Sequence, residues 1–190
     1  MKRITSILTA ALCVLTASAQ IRIATPGTEL ILKADVGGEP QIQYFGERLS
    51  DTDVANLQAA GVPNHNAYPA YGLWCASEAS LGVTHSDGNM STVLRVESVT
   101  QTDEPTAKVT RIKMKDTVYP FYVTLCYRAY QDVDMIETWT EIENLEKKPV
   151  VLTRFDSGYL PLRAGDVWIS HLHGTWAAEG LLGQEPLDRG

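Results

Sequence analysis

Tyr119–Tyr130 reads YPFYVTLCYRAY, and the fold turns on how this stretch is read. Its β-branched and aromatic residues alternate with a period of two: Phe121, Val123, Leu125 and Tyr127 share one face, and Tyr122, Thr124, Cys126 and Arg128 share the other. A helix would scatter the apolar groups around its circumference, whereas a strand collects them on one side. The first set is therefore expected to face a core.

The same alternation extends in both directions from this strand. Val93–Val99, Ala107–Lys115, Met135–Ile142, Val150–Phe155 and Val167–His173 each read as strands bounded by turn-forming or charged residues. Thr28–Asp35 and Gln41–Phe45 form a further pair joined through Gly37-Gly38-Glu39-Pro40. One short helix is expected over Thr52–Ala60, started by Ser50 and Asp51 and ended by Gly61. The remainder of Val62–Asp87 reads as irregular, and an irregular stretch of that length is more often functional or interfacial than idle. The expected class is all-β, antiparallel, with one short helix.

A chain of 190 residues holds one ordinary domain or one large all-β domain. Lys2 and Arg3 precede an apolar run from Ile4 to Thr16 and then Ala17-Ser18-Ala19, the pattern of a secretory signal peptide cleaved before Gln20. The apolar run is too short for a stable membrane span. Export to the periplasm or the extracellular space is the expectation. Without residues 1–19 the formal charge passes from -7 to about -9. That acidity, with no basic tract able to track phosphates, argues against nucleic acid and leaves a neutral sugar compatible. The mature chain keeps Cys75 and Cys126, enough for one bridge at most and for no thiolate zinc site.

Three constellations invite chemistry. In ISHLHGTWAAE (Ile169–Glu179), His171 and His173 fall on one strand face at metal-ligand spacing, but no third ligand is singled out, and a polar surface or interface is the preferred reading. In DMIETWTEIEN (Asp134–Asn144), Glu137, Trp139, Glu141 and Glu143 share a face. Glu141 and Glu143, roughly 6.6 Å apart on a strand, pass the distance test for a glycosidase pair but lack a cleft to flank a scissile bond. A solvated outer face with Trp139 partly covered is preferred. In THSDGNMS (Thr84–Ser91), His85 and Asp87 could form a catalytic or calcium site, yet Asp-Gly-Asn is first a turn signature. Asp51 with Asp53 and Asp132 with Asp134 read as capping and turn carboxylates.

YPAYG (Tyr68–Gly72), VTLCYRAYQDVDMIETWTEIENLEKKPVVLTRFDSGYLPL (Val123–Leu162) and DVWISHLHGTW (Asp166–Trp176), in that order, resemble the amino-terminal domain of glycoside hydrolase family 36, the bacterial α-galactosidases. The resemblance runs from about Gly46 to Leu187. It departs from the family pattern after Gly72, where Leu73-Trp74-Cys75 stands in place of Asp-Phe-Arg, and at His173, where Pro is common. The resemblance implies a β-supersandwich, incomplete here and spanning residues 20–190, that precedes a (β/α)8 barrel absent from this sequence. It implies retaining hydrolysis of terminal α-galactosides such as melibiose and raffinose by two barrel aspartates. No catalytic residue therefore falls on this chain, which is expected to be inactive alone. It further implies packing on the barrel, a homo-oligomer, and residues lent to a substrate rim or an interface. The candidates for that role are Tyr68, Tyr71, Trp74, His173 and Trp176. No metal or cofactor is implied. A stand-alone carbohydrate-binding module, stacking sugar on Trp139 or Trp176, is the alternative.

Overall fold

A computed structural model describes residues 13–14, 20–59, 65–72, 78–161 and 168–186. The chain divides into two compact units, Met1–Leu160 and Pro161–Gly190.

The first unit is built from antiparallel sheets. In chain order its elements are β1 (Cys13–Val14), β2 (Gln20–Ala24), β3 (Thr28–Lys33), β4 (Gln41–Glu47), α1 (Asp51–Ala59), β5 (His65–Asn66), β6 (Leu81–Thr84), β7 (Leu94–Asp103), β8 (Ala107–Asp116), β9 (Phe121–Tyr130), β10 (Ile136–Asn144) and β11 (Val151–Phe155). A five-stranded sheet runs β1-β7-β8-β9-β10, a four-stranded sheet runs β2-β3-β4-β5, and β6 pairs with β11 in a ribbon. The second unit holds the hairpin of β12 (Trp168–Thr175) and β13 (Ala178–Pro186).

The alternation in β9 sets the packing as expected. Phe121, Val123, Leu125 and Tyr127 are all buried. They join Val96, Val99, Ile112 and Met114 of the same sheet, Ile21, Ile23, Leu30, Leu32 and Ile42 of the four-stranded sheet, and Leu81 and Val83 of β6 in one core cluster. Burial of such side chains is worth about 1.5–3 kcal/mol each. Register then follows, because a slip of one residue in β9 would carry its whole apolar set to the outer face.

Several strands escape the sequence pattern, and their physics explains it. Ile21 and Ile23 alternate in β2, but five residues beside the expected signal cleavage point are a small signal. In the stretch expected to be irregular, β6 is a strand whose Leu81, Gly82 and Val83 are all buried, so no alternation marks it. The segment after Trp176, where the sequence pattern marks no strand, is β13; its glycines and lack of β-branched residues hide it from β-propensity. The helix spans Asp51–Ala59, with Asp53 N–H donating to Ser50 Oγ at 3.2 Å as a capping bond. Gly61 lies outside the described residues. So does most of the expected signal peptide; its Cys13 and Val14 pair with Gln101 and Thr100 on the edge of β7.

Candidate functional site

The outer face of β9 and β10 carries the acidic residues that sequence spacing singled out. Its charges are spent on each other. Arg128 pairs with Glu137 at 2.7 Å and with Glu104 at 3.1 Å, while Lys113 reaches Glu97 at 3.7 Å and Glu143 at 3.9 Å. The guanidinium groups of Arg111 and Arg128 lie 5.8 and 5.2 Å from the Trp139 ring centre, and Trp139 Nε1 donates to Glu141 at 3.0 Å. Both guanidinium groups are close enough to engage the partly buried indole. Cys126, opposite Trp139, is a buried free thiol; burial, reinforced by Glu141 and opposed by Arg111, pushes it up to about 12.

The Tyr68–Gly72 segment is more telling. Tyr68, a candidate rim residue, is a core residue at 2 % exposure, and its hydroxyl donates to the Asp156 carbonyl at 2.9 Å. Tyr71 is 55 % exposed. Its N–H donates to the Leu81 carbonyl at 2.8 Å and its own carbonyl accepts from Thr92 N–H at 2.9 Å, so the peptide is held on both sides. Gly72 follows at φ 110°, and a Cβ there would lie 2.6 Å from Ser91 Cα, so the close approach requires glycine. Trp74 and Cys75 lie outside the described residues.

Beside Tyr71 opens a groove of about 340 Å3 lined by Tyr71, Glu78, Val83, Met90, Thr153 and Arg154, together with Ala79 and Gly82. Arg154 donates to Glu78 and, at 3.4 Å, to both oxygens of Asp156. Glu78 first and Asp156 second raise the guanidinium's pKa further, so it stays charged. An aromatic face, a thioether and an ion-paired fork suit a polyol edge. They make no acid–nucleophile pair, because Glu78 and Asp156 are both committed to Arg154. Sequence reasoning missed Glu78, Met90 and Arg154: the backbone bond of Tyr71 to Leu81 sets the segments flanking β6 beside it, and the pairing of β6 with β11 adds Arg154. A larger cavity of about 500 Å3 lies among Leu30, Phe45, Tyr127, Ile136 and Tyr159. Its charged side chain, Asp134, is tied to Thr25 Oγ1 at 2.7 Å and Gly27 N–H at 2.5 Å.

In the second unit, His171 and His173 stand opposite Gly183 and Leu181, their ring centres 5.5 Å apart. Both imidazoles lean over Gly183, where a Cβ would lie 2.9 Å from His171 Nε2 and 3.2 Å from His173 Nδ1. Among the described residues no group of three His, Cys, Asp or Glu side chains could hold a metal ion. Trp176 occupies the hairpin turn with Ala177 at φ 67°, and at 96 % exposure it is the most exposed large apolar side chain among the described residues.

Fold and site together define an antiparallel β-sandwich domain with a groove beside Tyr71. The chain belongs to the glycosyl hydrolase family 36 N-terminal domain family, whose pattern matches residues 38–190. Its fold is similar to that of the GH36 α-galactosidase AgaA from Geobacillus stearothermophilus in complex with raffinose, with a TM-score of 0.78, 21 % identity and 90 % of this chain covered. The α-galactosidase from Lactobacillus brevis gives a TM-score of 0.77 at 20 % identity over 91 % of this chain. The galactosidase domain of the α-galactosidase-sucrose kinase AgaSK gives 0.79 at 20 % identity over 94 %. The chain spans only 28 %, 28 % and 30 % of those three structures. No curated protein matches it in sequence.

Proposed function

We propose that this chain is the amino-terminal β-domain of an exported, retaining α-galactosidase that cleaves terminal α-galactosides of the melibiose and raffinose type. The family match over residues 38–190 carries this reading. The nucleophile and the acid/base belong to a following barrel, and this domain packs on that barrel, aids assembly of a homo-oligomer and contributes to a substrate rim or interface. Tyr71 and Trp176, with Trp74 and His173, are the residues offered for that role. The exposure of Tyr71 and Trp176 supports it, as does the groove around Arg154. Domains that supply contacts do so from loops on a rigid scaffold.

The test is expression of the complete reading frame that contains this chain, assayed on melibiose and raffinose with the anomer of the released galactose followed by NMR. Release of α-galactose first is expected. Failure to hydrolyse either sugar would overturn the proposal. In the same active protein, Y71A or W176A should raise KM or shift the oligomer size seen in sedimentation. A second reading, a stand-alone carbohydrate-binding module, is favoured only by the bare Trp176 ring. It requires the isolated chain to bind raffinose, and calorimetry decides that directly.

A further inference from the structure

The loop between β6 and β7 contributes Met90 to the Tyr71 groove, and its anchor lies in the turn between β10 and β11. His85, buried just after β6, places Nδ1 2.8 Å from Glu146 Oε1 and Nε2 3.0 Å from Thr92 Oγ1. Glu146 belongs to the turn between β10 and β11; its carboxylate is almost wholly covered, and its second oxygen accepts Ser86 N–H at 3.1 Å. The imidazole stacks on Tyr119 at 3.7 Å, with Phe121 edge-on at 5.8 Å. The Tyr119 hydroxyl closes the loop by donating to Asp87 at 2.8 Å and accepting from the Asn89 amide at 3.0 Å. Thr92 then passes the constraint on, because its N–H donates to the Tyr71 carbonyl.

The Thr92–His85–Glu146 order resembles a hydrolase triad, but Thr92 has no exposed surface and no substrate atom could reach its hydroxyl. Something else must explain a polar chain in this place. Taking an imidazole and a carboxylate out of water costs about as much as their attraction returns, so the pair is a poor source of stability. Unlike an apolar contact, however, its hydrogen bonds specify direction and distance at each end. Loop residues Ser86 and Thr92 are both fixed by it, and between them lies Met90.

We propose that His85 and Glu146 are positioning residues: their buried pair sets where Met90 and Tyr71 stand, and so fixes the shape of the groove. The assignment of that groove to a substrate rim or interface rests on the function proposed above, whereas the anchoring itself does not. Amide hydrogen exchange in the full-length protein tests it. In E146Q the Tyr71 and Thr92 amides should exchange at least about tenfold faster than in the wild type, with the Leu125 amide of β9 unchanged. Equal acceleration at all three would overturn the proposal. Because either single variant could simply unfold, the pair H85F/E146L supplies an apolar replacement of both partners. It should recover the wild-type melting temperature while Tyr71 and Thr92 stay deprotected; return of their protection would mean that bulk packing suffices. In a protein that hydrolyses melibiose, E146Q should raise KM more than it lowers kcat. A wild type without hydrolysis would remove the galactosidase reading and leave the exchange result to decide the anchor.

Discussion

Arg22 projects from β2 onto Glu29 of β3, whose side chain is wholly buried. Glu29 also accepts Leu49 N–H at 3.1 Å, and the arginine continues to Asp51 at 2.6 Å. Burial alone would raise the Glu29 pKa, but the Arg22 bond and the Leu49 amide outweigh it, and the carboxyl is held below its ordinary range. The sign follows from linkage. The unfolded chain binds this proton more readily, so the stabilisation is complete above the ordinary carboxylate pKa and disappears as pH falls through the depressed folded value. R22M should cost about 3 kcal/mol at neutral pH, because it strands a buried carboxylate. The penalty should shrink toward pH 4, where the stranded group takes a proton. Urea unfolding of both proteins from pH 7 to pH 4 measures this, and a constant penalty would contradict it.

At the scale of the element, β9 is two surfaces on one backbone. Phe121 has no exposed area and sits in the core, whereas Tyr122, one residue on, lies under Lys113 and Lys115 at 4.5 and 5.7 Å on the outer face. F121A should therefore destabilise by about 3–5 kcal/mol, the cost of a cavity in a packed interior. Y122A should cost about 1 kcal/mol or less, the worth of exposed cation–π contacts. Denaturant midpoints with unchanged m-values would show both. A larger loss for Y122A than for F121A would reverse the assignment of faces. The same reasoning explains the strands the pattern missed. Alternation is written only where one face is wet, and β6 is buried on both, so its residues carry no period to read.

At the scale of the whole chain, apolar surface is unevenly distributed. Beyond Asn144 the described residues expose Val151, Leu152 and Phe155 along β11, and Trp168, Leu172 and Leu182 on one face of the hairpin. A covered β-sandwich would keep such side chains inside. The isolated 190-residue chain should therefore self-associate at micromolar concentration, with weight-average mass rising on sedimentation and falling when L172S/L182S is introduced. A monomer at all concentrations would show that the exposed faces are tolerated.

The all-β class, the core face of β9, the solvated role of Glu141 and Glu143 and the turn at Asp87-Gly88-Asn89 were legible along the chain. Each depends on neighbours within a few residues, and period-two alternation and turn chemistry are local properties. The groove was not legible. Arg154 reaches Tyr71, Glu78 and Met90 only because β6 and β11 pair across about seventy residues of sequence, and no local pattern encodes that pairing. His85 shows the same division. Its sequence neighbours announce a turn, and the turn exists, but its burial against Glu146 and Tyr119 follows from which strands meet over it. Which residues alternate, turn and cap is written in their near neighbours, whereas which of them face one another depends on long-range pairing, and that is set by the packing of the whole core.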